Sequence, residues 1–188
     1  MASRRVLLCC LSILAWSAAR GGDWPTFRHD ARRSGHTAER LDAPKLREQW
    51  VWRSPHPPQP AWAGPAKWDA YHNLRGLRSM RNYDPVFHVI AIGDAVYFGS
   101  SVDDAVRCLD AKTGKQRWLV HADGPIRIAP TFADGRLYFG SDDGSVRCIA
   151  AADARPVWTF SPTPGTRLVL HNGRLISFWP VRTGVVVD

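Results

Sequence analysis

The chain has 188 residues, of which 45% are hydrophobic and nine are Trp, enough for one real hydrophobic core and too apolar for wholesale disorder. Its formal charge of +8 comes from 25 Lys and Arg against 17 Asp and Glu, scattered rather than gathered in a basic run, so it reads as a solvated basic surface and nucleic acid is not an expected partner. Phosphate-binding glycine loops, a Gly-x-Ser-x-Gly elbow and paired zinc-ligand spacings are absent from the sequence, which removes the commonest local signatures of catalysis.

Residues 1–19 have the layout of a signal peptide. Arg4-Arg5 form a basic start, Val6 to Trp16 an 11-residue apolar run, and Ser17-Ala18-Ala19 a small-residue cleavage site. A bilayer needs about 20 apolar residues, so the run is too short to span, and no transmembrane span is expected in the mature chain. Export to the periplasm or the extracellular space is the expectation. Cleavage removes Arg4 and Arg5 and no acid, leaving 25 − 2 − 17 = +6. Cys9 and Cys10 leave with it, so Cys108 and Cys148 remain, and each reads as a small buried hydrophobe.

Residues 20–45 read as an extended N-terminal segment, and residues 46–53 as one strand of a further unit, carried by Glu48 to Arg53. Residues 54–84 are different in kind. A Pro-rich start at Pro55, Pro57, Pro58 and Pro60 leads into Trp62, Trp68, Tyr71 and His72 and then Arg75, Arg78 and Arg81, with no strand periodicity. An insertion of this length is usually functional or disordered, and this one is rich in aromatics. Trp68, Tyr71, His72, Arg75 and Arg78 are the candidate ligand or partner contacts, because aromatics interleaved with Arg stack on sugars and hold anions. The other reading open for the segment is that it covers one end of the fold and packs internally. Asn73 to Arg78 is a candidate helical turn.

From residue 85 onward the chain repeats itself. Tyr97-Phe98-Gly99-Ser100, Val106-Arg107-Cys108 and Trp118 return as Tyr138-Phe139-Gly140-Ser141, Val146-Arg147-Cys148 and Trp158, at offsets of 41, 40 and 40 residues. β-Branched and aromatic residues interrupted by turn residues predict four short antiparallel strands per copy. In the second copy these are Ile126 to Phe132, Arg136 to Gly140, Ser145 to Ile149 and Pro156 to Phe160, with Asp134-Gly135 and Asp142-Asp143-Gly144 as turns. The predicted units are 85–124, 125–164 and an incomplete third at 165–188, whose start is set at Thr166 because Asn172-Gly173-Arg174-Leu175-Ile176 parallels Asp134-Gly135-Arg136-Leu137-Tyr138. The paired acids Asp103-Asp104 and Asp142-Asp143 read as turn residues facing water, without calcium-loop spacing.

Four-stranded units of this length are the blades of a β-propeller, so the predicted fold is all-β, a propeller of antiparallel blades present only in part. Closure takes four to eight blades. Two complete units and part of a third would leave strand edges open, which sets the expectation that the sequence is an incomplete copy of a longer protein. Within the repeat, Gly99, Cys108, Gly114, Trp118, Gly140, Cys148 and Trp158 are read as structural. Trp118 and Trp158 in particular are expected to join one blade to the next.

Leu109-Asp110-Ala111-Lys112-Thr113-Gly114-Lys115-Gln116-Arg117-Trp118, following Val96-Tyr97-Phe98-Gly99-Ser100, resembles the repeat of pyrroloquinoline-quinone-like β-propellers. The resemblance runs from about Leu46 to Asp188, and Asp23-Trp24-Pro25-Thr26-Phe27-Arg28 is similar to the start of many exported members. In the second copy Ala150 to Pro156 replaces most of the Asp-x-x-Thr-Gly-Lys turn, and Ala154 stands where Gly114 supplies a positive φ, which calls for another loop path. The family contains quinoprotein dehydrogenases as well as non-enzymatic members such as the propeller subunit of the outer-membrane β-barrel assembly machinery. The resemblance therefore implies a binding or scaffolding module of the cell envelope, with a protein or polysaccharide partner and no cofactor. Its alternative is the N-terminal part of a dehydrogenase oxidising alcohols or sugars with pyrroloquinoline quinone (PQQ) and calcium. No catalytic, cofactor-binding or metal-ligand residue is assignable from the sequence.

Overall fold

The computed structural model describes residues 22–56, 87–171 and 174–187. The signal-peptide reading of residues 1–19 lies outside these, as does most of the insertion. Two four-stranded antiparallel sheets and a separate two-stranded hairpin make up the fold. The first sheet is β1 (Val89–Ile92), β2 (Ala95–Ser100), β3 (Ala105–Asp110) and β4 (Gln116–His121), in that spatial order; the second is β5 (Thr131–Ala133), β6 (Arg136–Gly140), β7 (Val146–Ala150) and β8 (Pro156–Phe160). The hairpin pairs β9 (Leu168–His171) with β10 (Arg174–Ser177). Among the described residues the regular structure is otherwise a single 3-10 turn at Ala43–Lys45, and no described helix is long and apolar enough to cross a membrane.

Each sheet is laced by the same cross-strand row. Tyr97 lies opposite Cys108 and Cys108 opposite Trp118, while Tyr138, Cys148 and Trp158 take the same places in the second sheet. Directly opposed side chains have Cβ atoms about 5 Å apart, so the middle residue must be small. The flanking Tyr and Trp rings meet across it with centroids 5.8 Å apart in the first sheet and 6.0 Å in the second. Both cysteines are free and buried. In both sheets the register slips immediately after the cysteine, so the bulge belongs to the repeat.

The core lies between the two sheets. Tyr97, Val106 and Cys108 of the first meet Leu137, Phe139 and Ile149 of the second. The indole of Trp118 closes this interface by donating from Nε1 to the Ala151 carbonyl at 3.1 Å. Trp50 Nε1 donates in the same way to the Ala111 carbonyl at 2.9 Å, and Ala111 stands 40 residues before Ala151. Residues 46–53, expected to form a strand, make no ladder with a described residue. They supply instead the indole that holds the first sheet as Trp118 holds the second. An extended segment counts as a strand only when a neighbouring backbone takes its N–H and C=O groups.

Two further expectations change. The first strand of the second unit, expected at Ile126 to Phe132, shrinks to β5, because Pro125 and Pro130 offer no N–H to a ladder. The Ile126 N–H goes instead to the Ser100 carbonyl, and its side chain lies against Gly99, where a Cβ would collide with it. The same two contacts recur at Val181, whose N–H reaches the Ser141 carbonyl at 3.0 Å and whose side chain lies against Gly140. The repeat position of Ile126 is thus taken 55 residues later, with Pro180-Val181-Arg182 echoing Pro125-Ile126-Arg127, rather than in a unit counted from Thr166. β9 and β10 stand as a hairpin ahead of that position. The Asn172-Gly173 turn on which the Thr166 start rested lies outside the described residues.

The N-terminal segment closes the free edges of β1 and β5. Trp24 pairs with Ala91 through two backbone bonds, the Phe132 N–H reaches the Pro25 carbonyl at 2.8 Å, and the hydroxyls of Thr26 and Thr131 are bonded at 2.8 Å. Covering an edge in this way removes a template for unwanted strand pairing.

Candidate functional site

Trp68, Tyr71, His72, Arg75 and Arg78 lie outside the described residues. The residues flanking that insertion are described, and they converge. The rings of Trp52 and Phe87 have centroids 5.7 Å apart, and both pack on Phe98, at 5.0 and 5.2 Å. The Arg107 guanidinium stacks over Trp52 at 5.4 Å and is paired with Asp103. Both ends of the insertion are therefore anchored at the end of the first sheet where β2 turns into β3.

That end of the two sheets carries the densest charge in the described structure, and it corrects the reading of the paired acids. Asp142 does not face water. It is fully buried, with Oδ2 accepting from Arg127 Nε at 2.9 Å and Nη2 at 2.6 Å, and from Arg182 Nη2 at 3.2 Å, while Oδ1 accepts from Arg182 Nε at 3.1 Å. Asp143 pairs with Arg147 at 2.7 Å, as Asp103 pairs with Arg107 in the first sheet, both across an i, i+4 spacing. Arg147 also reaches Asp123 at 2.8 Å. Asp104 pairs with Arg174 at 2.6 Å. The true repeat partner of Asp104 is Gly144, since both follow the acid that pairs with the strand arginine and both have positive φ, 56° and 90°.

Electrostatics follow from this packing. Burial pushes the Asp104 carboxyl up to about 6 against the pull of Arg174. The His171 imidazole is held below its ordinary value by burial first, and then by Arg182 and Arg127, with Asp142 opposing. Burial raises the Cys108 thiol to about 11, leaving it protonated and inert at neutral pH.

Beside this end, between β8 and the β9–β10 hairpin, lies an open groove of about 670 Å³, with Arg147 and Asp143 at one end and Leu168 and Leu175 along a wall. Among the described residues no three His, Cys, Asp or Glu side chains gather as metal ligands. The four turn acids are each engaged by a guanidinium, so they do not fit the Glu, Asn and Asp set that a calcium-held quinone requires.

The sequence reading missed Trp50 and the Arg127, Arg182 and Asp142 group. Trp50 is visible in hindsight as the Trp of Glu48-Gln49-Trp50-Val51, a counterpart of Gln116-Arg117-Trp118-Leu119. The arginines share a local Pro-Ile-Arg and Pro-Val-Arg context, but their convergence on one carboxylate needs the fold.

Four-stranded antiparallel sheets stacked face to face, built from one repeated unit and joined by repeated indole bonds, define a pyrroloquinoline-quinone-like β-propeller. A family model described as outer membrane protein assembly factor BamB matches residues 49–179, and the chain belongs to that family. Among solved structures it is similar to BamB from Moraxella catarrhalis, at 18% identity and a TM-score of 0.36, over 44% of this chain and 27% of that one. The quinohemoprotein alcohol dehydrogenase from Comamonas testosteroni is 18% identical with a TM-score of 0.49, over 79% of this chain and 20% of that one. Quinohemoprotein alcohol dehydrogenase ADHIIG from Pseudomonas putida HK5 is 29% identical with a TM-score of 0.37, over 41% of this chain and 13% of that one. The chain thus spans less than a third of the length of each of these structures. A comparison with curated proteins gives no match.

Proposed function

We propose that this chain is an exported propeller that binds or scaffolds a protein or polysaccharide partner in the cell envelope and catalyses nothing itself. The observation that carries the reading is the match of residues 49–179 to the outer membrane protein assembly factor family. Residues 1–19 fit the same reading as the export signal, with Ser17-Ala18-Ala19 as its cleavage site. The candidate contact residues Trp68, Tyr71, His72, Arg75 and Arg78 would serve it from the insertion whose ends meet at Trp52 and Phe87. No cofactor is required; PQQ and calcium belong to the dehydrogenase alternative.

The test is expression of the full chain with residues 1–19 intact, followed by fractionation and cross-linking in the intact envelope. The expected result is a processed chain, starting after Ala19, that cross-links to an envelope macromolecule and loses the cross-link when Trp68, Tyr71 and Arg75 are replaced together by Ala. An unprocessed cytoplasmic chain contradicts the reading, and so does dye-linked alcohol or sugar oxidation that depends on added PQQ and calcium.

A further inference from the structure

We infer that the free edge of β8, together with the groove beside it, is a docking site for an extended polypeptide segment, which adds to the second sheet as a further strand. β8 pairs with β7 alone, and Val157 to Phe160 make no other backbone bond among the described residues. The other outer edges are managed. β1 and β5 are met by the N-terminal segment, and β4 carries Arg117, which binds Asp94 at 2.8 Å and Asp110 at 2.6 Å. A charge fixed on an edge strand deters another chain from pairing there.

The second unit has lost that guard as a set. The repeat puts Val157 at the position of Arg117 and Ala150 at that of Asp110. Gly135 takes the place of Asp94, since the Ala151 N–H reaches the Gly135 carbonyl as the Ala111 N–H reaches that of Asp94. No residue of β8 is charged, and all are exposed. Pro156 lacks an N–H but stands at the start of the strand, and Val157 to Phe160 keep theirs. Beside the strand, the groove of about 670 Å³ gives the side chains of an incoming segment room, with Thr159 and Ser161 lining it from β8 and the exposed Leu168 and Leu175 from the hairpin. A strand edge with open N–H and C=O groups is matched by another backbone, which neither a sugar nor a lipid supplies. The groove's lining also has no aromatic ring on which a sugar could stack. The occupant is thus an extended polypeptide with uncharged side chains along it. This deepens the proposed envelope role and rests on its reading of the partner as a protein, adding a contact separate from the insertion.

Fluorescence polarisation of a labelled, terminally capped peptide of alternating Thr and Val with Lys at each end, titrated with the full chain, tests the inference. Saturable binding is expected. The same peptide with two adjacent central residues replaced by Pro, which removes a donor from each of its edges, is expected to bind about tenfold more weakly or worse. Rebuilding the guard with Val157→Arg and Ala150→Asp together is expected to weaken binding of the unmodified peptide by about tenfold, and Val157→Lys alone decides the matter should the pair fail to fold. The inference is overturned if the peptide does not bind, if the Pro peptide binds equally well, or if the Val157 variants bind like the parent chain. It is overturned too if maltoheptaose competes the peptide away, or if sedimentation shows the parent chain to be a dimer that Val157→Lys dissolves, since the occupant is then a sugar or a second copy. Export and the cross-link through Trp68, Tyr71 and Arg75 are read in other variants, so failure of this site leaves the envelope role standing, and failure of that role leaves the peptide titration to be decided by β8.

Discussion

Gly114 and Ala154 do the same work with different means. Each closes the turn between the third and fourth strands by donating its N–H back four residues, Gly114 to Asp110 at 2.8 Å and Ala154 to Ala150 at 2.9 Å, with φ of 67° and 60°. The altered loop path that the sequence implied for Ala154 is not taken; the turn is kept and the residue bears the strain. A left-handed conformation costs an L-residue about 1–2 kcal/mol, partly offset by the greater unfolded-state freedom of glycine. Ala154→Gly is accordingly expected to stabilise the chain by about 0.5–1 kcal/mol in urea denaturation. Gly114→Ala meets both the strain and the Trp50 ring, 2.6 Å from the new Cβ, and is expected to destabilise it by about 2–3 kcal/mol. Asp104 gives a pH signature. Its carboxyl titrates near 6 in the folded chain against an ordinary 3.8, so the folded state holds its proton longer than the unfolded one. Stability from this group is full below pH 4 and is lost as pH rises through 6, by about 2 kcal/mol once the carboxyl's partial exposure to water is allowed for. Comparing denaturation midpoints of the parent and Asp104→Asn between pH 4 and 7 should show that slope in the parent and its loss in the variant. Neither residue's environment is legible in sequence: Asp104 looks like any turn acid until Arg174, 70 residues on, is folded against it.

The strands were legible because their period and their turns are local. Tyr97, Cys108 and Trp118 could be matched to Tyr138, Cys148 and Trp158 by counting, and the register then sets them in a row. What counting could not supply is which elements touch. Trp118 is bonded to Ala151 and packs against the core, whereas Trp158, its repeat, is 41% exposed and makes no indole bond among the described residues. Trp118→Ala should therefore cost about 3–5 kcal/mol, and Trp158→Ala less than about 1.5 kcal/mol, in denaturation of this 188-residue chain. The middle of the row should behave as a packing site. Cys108→Ser is expected to cost about 1–2 kcal/mol, and Cys108→Leu, which forces four carbons between Tyr97 and Trp118, about 1–3 kcal/mol. In the parent, both thiols should resist alkylation under native conditions and react on unfolding.

For the whole molecule, blade architecture and family could be read from the chain alone, since both rest on the repeat. The joints between blades could not. The next unit was expected from Thr166 because Asn172-Gly173-Arg174 imitates a turn, yet the contact that seats a unit, a branched side chain over Gly99 or Gly140, falls at Ile126 and Val181. The charged end was missed for the same reason, since Arg127, Asp142 and Arg182 come together only once those joints are made. One indole bond per joint is the most economical statement of the architecture, and Trp50 and Trp118 make it while Trp158 does not. Hydrogen exchange of the nine indole Nε1–H groups, followed by NMR on the full chain, tests this directly. The account predicts slow exchange for Trp50 and Trp118 and exchange near the solvent rate for Trp158. Equal protection of Trp118 and Trp158, or rapid exchange at Trp50, would contradict it.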